Sequence, residues 1–527
     1  MTPHANVQAV LEYHSITNHS VQSVRENNQN LDFSNLPRTY KLYRKLETIT
    51  LPEGLVPSSI PSLTALSANG NNPTSTSTPD LATIGTLLKL SAGITKWLTV
   101  PNGKMAFRAA SCTGAMYHIE LYVVCGELEG LPAGVYQYGV HDNALRLVRT
   151  GDFRGSLAEA TAGNYDVANA PATFVYTSVF WRNAWKYQAR AYRHAFWDSG
   201  TILANTLALA ASHNLSASIV TYFVDESVNC VVDVDGSKEA ALFLVPIGHE
   251  TSTRALITSA PERARLETLP YSPQEVDYPL IRSAHLATSL TDTAEVETWR
   301  ASRPTIVQSS TVGSVTPLTL ATNVLLPQES VDAVILKRGS TRRFQEMSIT
   351  YEDLSTMLAT ASVGGASVYS DDAKDSLNDV YLIVNAVDGL SGGTYVYHRR
   401  SQELELLQEG RFRDKAGHLG LDQALAHDAA VNVYFMADLN HVLGSLGSRG
   451  YRAAQLDAST TAGRLYLSAY ALGLGASGLT FFDDEVTEFF APHAAEKAVM
   501  FLVLLGIPAS RKREDRDRKS FTSKTPE

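Results

Sequence analysis

The sequence predicts two copies of one mixed helix-and-strand fold in a single chain, joined as a covalent pseudo-dimer. Three observations carry this. The stretch Trp181 to Glu226 recurs at one constant offset, the one that takes Arg190 to Arg449. At that offset Tyr192, Arg193, Asp198, Ala210, Thr221, Phe223, Asp225 and Glu226 meet Tyr451, Arg452, Asp457, Ala469, Thr480, Phe482, Asp484 and Glu485. The same offset takes Tyr122, Gly130, Gly134, Tyr136 and Tyr138 to Tyr381, Gly389, Gly393, Tyr395 and Tyr397. Finally, 527 residues exceed what one hydrophobic core usually serves. Two nearly gapless copies in series imply a fused dimer about a pseudo-two-fold axis.

Taken in order, the polar lead-in has helical spacing at Val7, Val10, Leu11, Tyr13 and His14. SANGNNPTSTSTPD follows, a loop with nothing to bury. Leu81, Ile84, Leu87 and Leu88 share one helical face behind a Pro79-Asp80 start. Strands are predicted at 120–124, 134–138, 144–148 and 172–180, then a helix over 198–213, then strands at 219–223 and 241–247. Residues 249–330 show no repeat counterpart and read as a linker. From Val331 the pattern restarts: helices 329–338 and 351–361, strands 380–384, 393–397, 404–407 and 431–436, helix 457–472, strands 478–482 and 500–505. The predicted boundaries are a lead-in and mobile loop over 1–80, a first domain over 81–250 and a draped linker over 251–330. A second domain over 331–513 and a charged, disordered tail over 514–527 complete them.

Composition bounds the function. The chain is 44% hydrophobic and 19% charged, as globular proteins are. A net charge of −10 argues against nucleic acid as a partner. The longest apolar run, Ala498 to Ala509, is too short for a bilayer and reads as a buried strand, so no membrane partner is expected. Cys112, Cys125 and Cys230 have no metal-type spacing, so neither zinc nor a disulfide framework is predicted. The N-terminus lacks a basic region followed by an apolar run, and the expectation is a cytoplasmic protein.

The halves differ where chemistry is concentrated. In the second, Arg338-Gly339-Ser340-Thr341-Arg342-Arg343 puts guanidiniums and a hydroxyl on alternate residues after a helix, a pattern suited to a phosphate. A basic helix end complementing the macrodipole would look the same. Arg511, Lys512 and Arg513 follow the last predicted strand and could close on the same anion. The first half has no such element. It offers instead the loop Ser111-Cys112-Thr113-Gly114, whose glycine lets backbone approach a ligand, where the second half reads Asp371-Asp372. It also has Lys186-Tyr187 where the second half has Ser445-Leu446.

This combination resembles the nitroreductase superfamily of flavoenzymes, and within it the SagB-type azoline dehydrogenases. The resemblance rests on Arg338 to Phe344, on Ser111 to Tyr122 with Gly130 to Tyr138, and on Lys186-Tyr187 followed by Tyr192-Arg193 and Asp198. It implies an α+β fold that binds FMN between two protomers, here a tandem nitroreductase-like pseudo-dimer with one complete composite site. In that site Arg338, Ser340, Arg342 and a tail residue (Arg511 or Lys512) would hold the phosphate. Ser477, Gly478 and Leu479 would line the isoalloxazine, and Ser111, Thr113 and Gly114 would cover it. Lys186 and Tyr187 would be catalytic, with Lys186 as base or Tyr187 as base beside Lys186. The implied activity is oxidation of thiazoline or oxazoline rings of a peptide or small-molecule precursor to azoles. A cyclodehydratase partner and further homo-oligomerisation stay open. So do two other functions, an NAD(P)H-dependent nitro- or quinone reductase and a flavin-free scaffold in a peptide-modifying complex.

Overall fold

In the computed structural model, residues 3–27, 29–68, 77–100, 103–250, 259–304, 306, 311–321, 326–362 and 375–509 are described. The first half is built on a six-stranded sheet of order β1-β6-β5-β4-β7-β8. Its strands are β1 (Thr48–Thr50), β4 (Ile119–Cys125), β5 (Gly134–Gly139), β6 (Ala144–Thr150), β7 (Ala172–Val179) and β8 (Glu239–Ile247). β2 (Ile94–Val100) and β3 (Gly103–Arg108) form a separate hairpin. β4, β7 and β8 are buried along their whole length, which is why they read as continuous apolar runs and not as alternating ones.

The second half repeats this order with β15 (Glu403–Glu409), β14 (Gly393–His398), β12 (Asp379–Val384), β16 (Val431–Ala437) and β18 (Ala498–Pro508). Its edges are β9 (Ser314–Pro317) on β15 and β10 (Phe344–Gln345) on β18, while β17 (Gly475–Gly478) also pairs β18. β11 (Ile349–Thr350) and β13 (Val387–Asp388) make a small parallel pair. The apolar run predicted as a buried strand is β18.

The halves meet through two helices of 22 residues, Ala191–Ser212 and Gly450–Ala471. They approach through small residues at equivalent positions. A Cβ on Gly200 would lie 2.6 Å from the Cβ of Ser459, and one on Gly463 would lie 2.7 Å from that of Ala204. Both helices begin about two turns earlier than predicted. Their first turns carry Arg193, His194 and Arg452, which break the apolar spacing yet are buried, the two arginines on carboxylates of the other half and His194 on Asn183 and Tyr187 of its own.

Two buried clamps lock this interface. Arg190 and Arg193 of the first half grip Asp483 of the second at 2.9 and 2.6 Å. Arg449 and Arg452 of the second grip Asp225 of the first, Arg452 at 2.8 Å. Arg193 also donates to the His14 carbonyl, Thr17 Oγ1 and Asn18 Oδ1. Arg452 donates in the same way to the His285 carbonyl, Thr288 Oγ1 and Ser289 Oγ. The His19 and Leu290 amides complete the two carboxylates at 2.8 and 2.9 Å.

These contacts correct two expectations. Asp483, and not Asp484, is the counterpart of Asp225, because the repeat slips by one residue before the helix Asp483–Phe489. The segment read as a linker without counterpart holds a copy of the N-terminus: helix Pro279–Ala287 with Thr288 repeats helix Pro3–Ile16 with Thr17, and β9 takes the edge position of β1. Three strand expectations also change. Residues 219–223 make only an isolated bridge, Val220 to Leu244, and the strand predicted at 478–482 lies at Gly475–Gly478 because Phe482 already caps a helix. β7 ends at Val179, and Phe180–Tyr187 is a helix. Among the described residues no helix is long and apolar enough to cross a membrane.

Candidate active site between the two halves

Helix Phe180–Tyr187 presents Lys186 and Tyr187 in its last turn, and Gln188 ends it at φ 51°. Arg182 anchors the helix from below, donating to the Tyr117 carbonyl at 2.8 Å and pairing with Glu120 of β4, with both charges buried. The Lys186 ammonium lies 5.3 Å from the centre of the Tyr187 ring. The ring meets His194 edge-on at 4.6 Å. Its hydroxyl sits above the Ser111–Gly114 loop: a Cβ on Gly114 would lie 2.5 Å from it. Gly114 also has φ 59°, so glycine is needed twice over, for space and for backbone conformation. Burial raises the Tyr187 pKa, Asp198 and Cys112 add to this, and the charge of Arg342 opposes it.

Asp198, on the first long helix, holds that loop in place. It accepts from the Thr113 amide and hydroxyl at 2.8 and 2.7 Å, lies 3.0 Å from Cys112 Sγ, and pairs with His118 Nε2 at 2.9 Å. His118 Nδ1 is in turn 2.9 Å from Ser178 Oγ, and Thr201 donates to the Ser111 carbonyl. Burial and the neighbouring carboxylate push the Cys112 thiol well up, which keeps it neutral.

The second half reaches this loop directly. Arg338 Nε donates to the Ala109 carbonyl at 2.8 Å, and its other nitrogens reach Arg108 O at 3.3 Å and Gly339 O at 3.1 Å. Part of its donor set is therefore spent bridging the halves, which sequence reasoning did not foresee; two of a guanidinium's five N–H groups remain. Burial lowers its pKa, opposed by Tyr466, Tyr470 and Tyr117. Tyr466 also accepts from the Gly478 amide, and the Thr341 amide donates to Ala476 O at 2.9 Å, tying the arginine-rich loop to β17. Ser477 is buried in the β17–β18 pairing, and Gly478 and Leu479 are half-buried beside it. Neither Ser340 nor Arg342 makes a hydrogen bond among the described residues, and Arg342 is exposed within electrostatic reach of Tyr187. Arg511 and Lys512 lie outside the described residues, as do Asp371 and Asp372.

Thus the structure brings Lys186, Tyr187, Ser111, Thr113, Gly114, Arg338 and Arg342 to one seam. Sequence reasoning missed Arg182, His118 and Tyr466 as site residues, and named Asp198 as a repeated residue and as part of the family resemblance without giving it a role. The signal for Asp198 was the repeat itself: Asp457 organises the second half similarly, accepting from Ser376 Oγ, the Leu377 amide and Asn378 Nδ2 at 2.6, 3.1 and 2.8 Å. Where the first half has Lys186 and Tyr187, Ser445 bonds back to its own helix at His441 O, and Leu446 is buried.

The nitroreductase family profile matches this chain twice, at residues 75–249 and 335–507. The chain belongs to the nitroreductase family. It is therefore an oxidoreductase by family, with the tandem α+β architecture that the sequence predicted. A nitroreductase-like protein of Methanocaldococcus jannaschii is 25% identical over 144 residues, 27% of this chain and 71% of that protein. The trifolitoxin-processing protein TfxB of Rhizobium leguminosarum bv. trifolii is 33% identical over 146 residues, 27% of this chain and 39% of TfxB. The crystal structure of a nitroreductase-like protein from Anabaena variabilis superposes with a TM-score of 0.76 at 26% identity, covering 95% of this chain and 99% of that one.

Proposed function

We propose that this nitroreductase-family member is an FMN-dependent dehydrogenase that oxidises azoline rings, thiazoline or oxazoline, in a peptide or related precursor to azoles. The observation that carries the proposal is the asymmetric seam. Arg342, with its donors unspent, lies within electrostatic reach of Tyr187 across the halves, Ser340 sits two residues before it on the same loop, and Ser445 and Leu446 stand at the positions pseudo-symmetric to Lys186 and Tyr187. TfxB, a relative named for processing trifolitoxin, supports the peptide reading.

The residues present fit a flavin phosphate. Ser340, Arg342 and the remaining N–H groups of Arg338 are anion donors, and a Cβ on Gly339 would meet only Tyr470, at 3.6 Å, so ligand can approach the backbone. FMN, when bound, supplies the acceptor for the hydride that leaves the ring. The rest of the work falls to the chain. Buried and next to Asp198, Tyr187 stays protonated and donates a hydrogen bond to the substrate. Lys186 is the group assigned to take the ring-carbon proton, so the azoline loses two hydrogens, one as proton and one as hydride. Asp198 and Arg182 fix the loop and the helix that aim these groups.

The test combines flavin stoichiometry with product mass. Flavin released from denatured protein should amount to one equivalent per chain, and an azoline peptide should lose two hydrogens. Two equivalents would remove the asymmetry argument, and none would favour the scaffold. Flavin bleached rapidly by NAD(P)H, with no azole formed, would favour the reductase.

A further inference from the structure

The β2–β3 hairpin leaves the body at the candidate site. Its stem closes where the Ala109 amide donates to Gly93 O at 2.8 Å, and the Ala109 carbonyl accepts from Arg338. Five residues beyond Ala109 lies Gly114, under Tyr187. From this root the hairpin runs outward for about 20 Å, at roughly 3.3 Å per residue. The helix Leu81–Ala92 is its main packing neighbour, and among the described residues neither of its edges pairs with another strand.

Its side chains are unusual for a free hairpin. Trp97, Leu98 and Met105 are 54%, 42% and 46% exposed, although a two-stranded ribbon is at best marginally stable in water. The other four tryptophans, Trp181, Trp185, Trp197 and Trp299, are all buried. Register puts Trp97 beside Ala106 and Lys104 beside Thr99 on one face, and Leu98 beside Met105 and Lys96 beside Phe107 on the other. Each face thus carries an apolar patch with one lysine. The segment 94–108 contains no acidic residue, on a chain of net charge −10, and neither Lys96 nor Lys104 has an ion-pair partner among the described residues.

We propose that this hairpin is a docking arm for an extended, acidic segment of a peptide substrate, which adds as a third strand. Backbone bonds to a free edge would give affinity, while Lys96, Lys104 and the apolar patches select a strand that presents both an acidic and a large apolar side chain on each of its faces. The arm's root then delivers the chain to the seam below it. The proposal rests on the reading of the substrate as a peptide, but not on flavin or on turnover.

Trp97 provides the readout. Acrylamide quenching of the full-length protein would be followed while adding a short peptide that repeats Glu-Glu-Leu-Leu, with a Lys-Lys-Leu-Leu repeat as control. The acidic peptide should shield the single quenchable tryptophan, and the response should vanish in Trp97→Phe. The double variant Lys96→Glu/Lys104→Glu should lose at least about 10-fold in affinity for it and gain affinity for the basic peptide, with both effects fading at high salt. No shielding by the acidic peptide overturns the proposal, and so does unchanged affinity in the charge-reversed variant. Shielding that grows with protein concentration alone assigns the arm to a second copy of this chain and overturns it. Shielding by phosphatidylglycerol vesicles but not by peptide assigns it to a membrane surface, again overturning it. A variant that binds the acidic peptide and yet forms no azole would refute the proposed reaction and leave the arm standing.

Discussion

The two clamps and the two ends of the seam are related by the same pseudo-axis, and they have diverged very differently. In the clamps the main partners are matched: two arginines, one aspartate, a histidine carbonyl, a threonine hydroxyl and a backbone amide, once around Asp483 and once around Asp225. At the seam the match fails, with Lys186 and Tyr187 opposite Ser445 and Leu446, although Asp198 and Asp457 still organise the loops beneath. Symmetry is kept where it holds the halves together and given up where small-molecule chemistry would take place. A buried charge left unpaired is expensive, so neither clamp can drift. A site needs only one working copy.

The comparison can be broken most strongly at the seam. Lys186→Ala and Tyr187→Phe should each lower azoline oxidation by about 10²- to 10⁴-fold while flavin content is unchanged, whereas Ser445→Ala should leave the rate alone. Measured turnover against flavin absorbance decides this; equal losses of flavin and rate would make the pair structural.

The clamps should respond in the opposite, symmetric manner. Asp225→Ala and Asp483→Ala each strand two buried arginines and should each cost about 3–5 kcal/mol of stability by denaturant unfolding. A large effect at one site and none at the other would show that the clamps are not equivalent.

Flavin grip is the next smaller effect. Arg342→Ala should weaken FMN binding by about 1.5–3 kcal/mol, while Arg413→Ala, whose guanidinium is engaged by the His427 carbonyl, should not. Equilibrium dialysis of FMN against the two variants separates them.

The smallest expected effect is an acid-dependent one. Burial pushes the Asp483 carboxyl up, but Arg190 and Arg193 outweigh it and bring the pKa from 3.8 to about 2. With the folded value depressed, its stabilisation is complete above the unfolded pKa and is lost as pH falls toward 2. The loss is about 2 kcal/mol. Thermal unfolding between about pH 5 and pH 2 should therefore steepen in the parent and flatten in Asp483→Asn; identical slopes would mean that the clamp carries no net charge effect.

The core of both halves was legible because their strands are buried apolar runs and the repeat aligns Tyr122 to Tyr138 with Tyr381 to Tyr397. Tyr187 and Gly114 were legible for another reason, their lack of counterparts. What could not be read were features whose cause is tertiary. The early turns of the long helices hide buried arginines that interrupt an otherwise apolar pattern. The second copy of the N-terminal helix keeps little more than His14 and Thr17 as His285 and Thr288, since backbone carbonyls make many of its contacts. The hairpin does leave a local trace in the sequence, since Asn102-Gly103 between two strand-like runs is a turn signal. Arg338 looked like a phosphate ligand from its spacing alone, and only the neighbouring half reveals that it also bridges to Ala109.

The close approach of the long helices has a genetic consequence. In a dimer of identical chains, a residue on the two-fold axis faces its own copy, so small must meet small. Here Gly200 faces Ser459, its own repeat counterpart, and Gly463 faces Ala204, its own counterpart too. These are unequal pairs, one member giving way to the other, and they can arise only when each half is encoded separately. Two first halves would place glycine against glycine and leave a gap at one point and a surplus methyl at the next. Two second halves would collide serine with serine. The halves are thus mates for one another and poor mates for themselves.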